Sequence, residues 1–144
     1  MAKDSIRIAN CSGYYGDKLS AAKEMVEGGP IDVLTGDYLA ELTMAILYSQ
    51  KLQRGEDKGY VGTFLKQLKD IAKTCKDQKI KIVSNAGGLN PKSMAKEVET
   101  ILTELDVDAT VAYIDGDDLV EELEQLQAAG ELLENIDRKI PLAQ

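Results

Sequence analysis

The sequence contains no histidine, only two cysteines and three prolines, and no apolar run long enough to cross a membrane. The missing histidine removes Ser-His-Asp triads, imidazole general bases and His-ligated metals together. Cys11 and Cys75 stand far apart, in neither a C-x-x-C nor a secreted disulfide spacing. The start carries no charged n-region followed by a long apolar h-region, and no stretch approaches the roughly 20 apolar residues of a membrane span. The reading is a cytoplasmic protein with reduced thiols. Basic residues are scarce too: Lys+Arg 17 against Asp+Glu 25 gives a net charge of −8. That balance opposes a nucleic-acid surface, which needs a basic field to displace counterions. It also repels anionic ligands at long range, so a phosphate or carboxylate site must rely on local backbone dipoles.

What is present reads as one α/β domain over residues 1–144, with 44% hydrophobic residues to build its core. Four short β-like runs, Ser5–Ala9, Ile31–Leu34, Ile80–Ser84 and Thr110–Ile114, are each followed by a loop and a helical stripe. The strongest stripe is Phe64, Leu65, Leu68, Ile71, Ala72 and Cys75. Asp37 is positioned to cap the second helix, and Asn90 to cap a helix with Pro91 in its first turn. Gly28-Gly29-Pro30 is placed to end the first helix, with glycine supplying a left-handed cap. This order predicts a three-layer sandwich with a mainly parallel, Rossmann-like sheet of about four or more strands.

In such a sheet the loops that leave the strands gather at the carboxyl edge, where ligands bind. Gly13 and Gly16 keep the spacing of the second and third glycines of a dinucleotide fingerprint, but Cys11 stands where the first belongs. A nicotinamide-dependent oxidoreductase therefore rests on a degenerate spacing, with Asp37 in reach of a ribose hydroxyl; a tight turn explains the loop as well. Cys11 is either a thiol activated by a helix start or a small packing residue. Gly87 and Gly88 let backbone amides approach a ligand, and the helix capped by Asn90 adds further donors. Asp115, Asp117 and Asp118 either hold Mg²⁺ with Asp17 or Asp37, or cap the last helix. The loops after the first three strands are expected to form one anion-binding cleft.

Four stretches carry a resemblance: IRIANCSGYYGD at 6–17, AAKEMVEGGPIDVLTGDYLAEL at 21–42, IVSNAGGLNP at 82–91 and GDDL at 116–119. Together they resemble the acyclic terpene utilisation (AtuA-like) family. The resemblance implies a part in acyclic terpenoid catabolism, which proceeds through CoA thioesters, and a small acyl or CoA-linked substrate bound at the carboxyl edge. In this reading Ser12, Gly13, Gly16 and Asp17 shape the first binding loop, and Gly36 with Asp37 holds a polar group. Asn85, Gly87, Gly88 and Asn90 donate to a carbonyl or phosphate, and Asp117 acts as acid/base or Mg²⁺ ligand. Family members are much longer, and the resemblance covers their N-terminal part. Apolar surface is then expected where more chain would pack, covered by a second copy or a complementary polypeptide. The competing class is a non-catalytic binding or assembly module.

Overall fold

The computed structural model describes residues 5–142. The chain divides into two compact units, Met1–Ile114 and Asp115–Gln144.

The first unit is built on a parallel sheet of three strands, β1 (Ile8–Asn10), β2 (Val33–Gly36) and β3 (Lys81–Ser84), in the order β1-β2-β3. Ala9 pairs with Leu34 and Leu34 with Ile82, which sets the register of all three. Ahead of the sheet, the Arg7 guanidinium forks onto the Asp32 carboxylate at 3.2 and 3.3 Å, tying the approaches to β1 and β2 together. Four helices connect and follow the strands: α1 (Ala21–Glu27) after β1, α2 (Glu41–Arg54) and α3 (Gly62–Gln78) in succession between β2 and β3, and α4 (Pro91–Glu104) after β3.

The α3 stripe behaves as its spacing predicts. Phe64, Leu68, Ile71, Ala72 and Cys75 are all buried. They divide between two clusters. Ile71 and Cys75 meet Ala22 and Val26 of α1 and Leu34 of β2. Phe64, Leu68 and Ala72 meet Leu47 of α2 and Met94, Ile101 and Leu102 of α4. Asn90 caps α4 as expected, its side chain accepting from Ser93 N at 3.0 Å ahead of Pro91.

Three expectations are corrected. The sheet has three strands, because the run 110–114 makes no backbone hydrogen bond among the described residues. Its β-branched and aromatic residues suit a strand, but such propensity is realised only where a ladder partner is present. The sandwich has two layers in this unit. Ala9, Leu34 and Ile82 pack beneath the helices, whereas Ile8 and Val83 on the opposite face are 64% and 59% exposed. Right-handed crossovers that always advance in one direction leave their helices on one face. Among the described residues the strand order does not reverse, so this sheet has no Rossmann-like switch point there. The third correction concerns helix ends. Asp37 does not cap α2, which begins after Ala40 in extended backbone, and Gly28 ends α1 at φ −76°, outside the left-handed region.

The second unit holds a 3-10 turn, Val120–Glu122, and α5 (Leu123–Ala128), closed by Gly130 at φ +89°. Beyond it, Glu134 and Pro141 form one antiparallel bridge, with Leu132 and Ile136 exposed. No helix of the described residues is long and apolar enough to cross a membrane.

Candidate functional site

The loops after β1, β2 and β3 meet at the carboxyl edge through specific bonds. Asp37 N donates to Ser12 O at 3.0 Å, joining the first loop to the second. Asn85 joins the second to the third: its Nδ2 donates to Asp37 Oδ1 at 2.7 Å, while its Oδ1 accepts from Tyr38 N at 2.8 Å. Beside them Thr35 Oγ1 donates to Asn10 Oδ1 at 3.1 Å, and Asn10 Nδ2 donates to Ser12 O at 2.7 Å. Topology brings the loops to one edge and these bonds hold them in contact. Asp37 and Asn85 are both exposed, and Asp37 Oδ2 accepts no hydrogen bond among the described residues. The pair therefore offers a free carboxylate oxygen next to an amide with a second N–H.

Below this pair the edge is filled by a residue that the sequence reading did not single out. The Tyr38 ring is buried and lies across Gly36, where a Cβ would stand 2.5 Å from the ring. It meets the Phe64 ring edge to face, with centroids 6.0 Å apart. Its hydroxyl donates to Gln67 Oε1, and Gln67 Nε2 donates to Lys18 O at 3.3 Å. Burial, reinforced by the neighbouring Cys11, pushes the Tyr38 hydroxyl well above the ordinary phenol range. A tyrosine two residues beyond a strand and a glutamine inside an apolar helical stripe are the only sequence signals of this network. Gly36 is thus required by Tyr38, whatever binds above it.

Cys11 is buried, with Sγ 3.9 Å from the Tyr38 hydroxyl, and burial raises its thiol pKa. Both observations favour packing over an activated nucleophile. Ser12 is buried as well and donates to Tyr14 O at 3.1 Å, so it shapes the loop from within. Gly13 N donates to Asp17 Oδ2 and Lys18 N to Asp17 Oδ1, at 2.9 and 2.7 Å. These two amides hold the Asp17 carboxyl below its ordinary pKa and use both of its oxygens. Gly16 sits at φ +91° with open space around it, and α1 begins only at Ala21. A dinucleotide loop needs its last glycine for close helix–strand packing and feeds directly into the helix. Neither feature is present.

The third loop is also shaped by its own packing. A Cβ on Gly87 would stand 2.8 Å from Pro91 Cβ, and one on Gly88 would stand 2.5 Å from Leu47 Cδ1 and 2.8 Å from Gly59 O. Asn90 Nδ2 donates to Glu56 O at 2.8 Å while its Oδ1 caps α4. Gly87, Gly88 and Asn90 are thereby committed to the fold. Asp117 lies in the second unit and is exposed; Asp118 Oδ1 accepts from Val120 N at 3.0 Å in a local turn, and neither aspartate caps α5, whose N-cap is Glu122. Among the described residues no three Cys, Asp or Glu side chains group as metal ligands would.

The family model described as acyclic terpene utilisation family protein AtuA matches residues 6–144. No curated protein and no solved structure matches the chain.

Proposed function

We propose that this chain, which belongs to the AtuA family of acyclic terpene utilisation proteins, binds a small acyl or CoA-linked substrate at the carboxyl edge of its sheet. The observation that carries the reading is the exposed Asp37–Asn85 pair, joined at 2.7 Å where the second and third loops meet. A carboxylate oxygen beside an amide N–H suits a head group with a hydroxyl to donate and a carbonyl to accept. Next to the pair, the open sheet face passes from Asn10 and Thr35 to exposed Ile8 and Val83. That gradient favours a ligand with a polar head and an apolar chain. The amides of Gly13 and Gly88 already donate within their own loops. Recognition therefore rests on side chains at this pair rather than on a preformed cradle for an anion.

The test is calorimetry on the full chain with a 3-hydroxyacyl-CoA thioester, its non-hydroxylated counterpart and CoA alone, wild type beside Asp37→Asn. This substitution keeps the acceptor for Asn85 and removes the charge offered to a hydroxyl. The hydroxylated ligand should lose about 10–100-fold in affinity, as expected for a charge-assisted hydrogen bond, and the non-hydroxylated one little. Absence of binding to wild type, or equal affinities in the variant, refutes the reading.

A further inference from the structure

Helix α3 buries one amide side chain in an otherwise apolar stripe. Gln67 is 3% exposed, a turn away from buried Phe64 and Ile71. An apolar side chain of similar volume would fill that place without desolvating an amide, so a glutamine is tolerated there only with both ends bonded. Both are. Tyr38 OH donates to Gln67 Oε1, and Gln67 Nε2 donates to Lys18 O at 3.3 Å. Lys18 O also accepts from Ala21 N at 3.1 Å, so it does not depend on Gln67. The bond that needs the glutamine is the one to Tyr38.

The same tyrosine meets the carboxyl edge with its backbone. The paired register of β2 and β3 ends at Gly36 and Ser84. Asp37 and Asn85 lie one residue beyond, where strand pairing no longer fixes them. Asp37 N turns to the first loop, donating to Ser12 O, which leaves the Tyr38 N–H to face the third. It donates to Asn85 Oδ1 at 2.8 Å, and the other end of that amide then falls on Asp37 Oδ1 at 2.7 Å. A primary amide is nearly the same shape either way round, so its bonding partners decide which end faces which. Reversed, its carbonyl would meet the Asp37 carboxylate.

We propose that Gln67 is a positioning residue: through Tyr38 it holds the Asn85 amide with its donor end on Asp37. The edge-to-face contact with Phe64 tolerates sliding of the Tyr38 ring. The hydroxyl bond to Gln67 sets how deep the ring sits, and with it where the Tyr38 N–H points. The consequence for affinity rests on the Asp37–Asn85 pair being the substrate site; the orientation of the amide requires no ligand.

The test compares Tyr38→Phe, Gln67→Met and the double variant, each in the full chain. Either single change leaves a buried polar atom without its partner and should lower the denaturant midpoint. The double variant removes both partners together and should recover most of that loss. Affinity for the hydroxyacyl-CoA thioester should not recover with it. It should stay about tenfold below wild type, the worth of one well-aligned hydrogen bond. Without ligand, the two Nδ2 hydrogens of Asn85 should be well separated by NMR in wild type, because one is bonded to Asp37, and should draw together in all three variants. Asn85 resonances unchanged in the stable double variant overturn the proposal. So does an affinity that returns together with stability. If wild type binds no thioester while the Asn85 resonances move as expected, the substrate reading falls and the positioning role stands.

Discussion

The two faces of the central sheet are made of similar residues and end in opposite environments. Ala9, Leu34 and Ile82 lie in one paired row beneath α1, α3 and α4, and Leu34 keeps 1% of its surface exposed. Ile8 and Val33 begin the neighbouring row and Val83 belongs to the next, all on the face without helices, where Val83 keeps 59%. Both faces contain β-branched residues, so composition does not tell core from surface here. Strand order does. Because β1, β2 and β3 follow one another across the sheet, each crossover returns on the same side. The carboxyl edge lies where these faces meet, and it divides in the same way: Tyr38 and Gly88 are packed inward, while Asp37 and Asn85 remain open.

The largest expected effect comes from forcing that edge apart. Gly88→Val adds a branched side chain at φ +52°, against Leu47 and the Gly59 carbonyl. It should cost about 3–6 kcal/mol from overpacking and backbone strain combined. Denaturant unfolding measures this, and a variant as stable as wild type would mean that the third loop is loosely seated. On the covered face, Leu34→Ala should cost about 2–5 kcal/mol because helices on one side and strands on the other limit collapse.

Cys75 sharpens the contrast through pH. Burial pushes its thiol up from the ordinary cysteine value to about 11. A pKa raised on folding gives stability that is complete below the unfolded thiol value and is lost as the pH rises towards about 11. The thermal midpoint should fall across that window, and Cys75→Ala should flatten the fall. At the small end, Val83→Ala on the open face should stay within about 0.5 kcal/mol of wild type. A large loss there would mean that something covers this face in solution.

Legibility in the sequence followed the range of the interactions involved. The α3 stripe and the Asn90–Pro91 helix start depend on residues within a few positions, and both are found where the spacing places them. The strand expected at 110–114 needed a partner, which no local pattern can guarantee. Asp37 has the chemistry of a cap, yet it is drawn to Asn85, 48 residues away, and the chain extends to Ala40 before α2 begins. Tyr38 and Gln67 are 29 residues apart and meet only after α3 has packed. The loops at the carboxyl edge were legible because topology gathers them. Which of their residues bind outward and which pack inward was not, since glycine serves close packing as readily as ligand approach.

The most direct measurement is the side-chain amide resonance of Asn85, followed by NMR while the same hydroxyacyl-CoA thioester is titrated into the full chain. Its Nδ2 hydrogens, which donate to Asp37 Oδ1, should shift together with the backbone amide of Tyr38, which donates to Asn85 Oδ1. Shifts confined to other parts of the chain, or none at saturating ligand, would contradict a substrate site at the carboxyl edge.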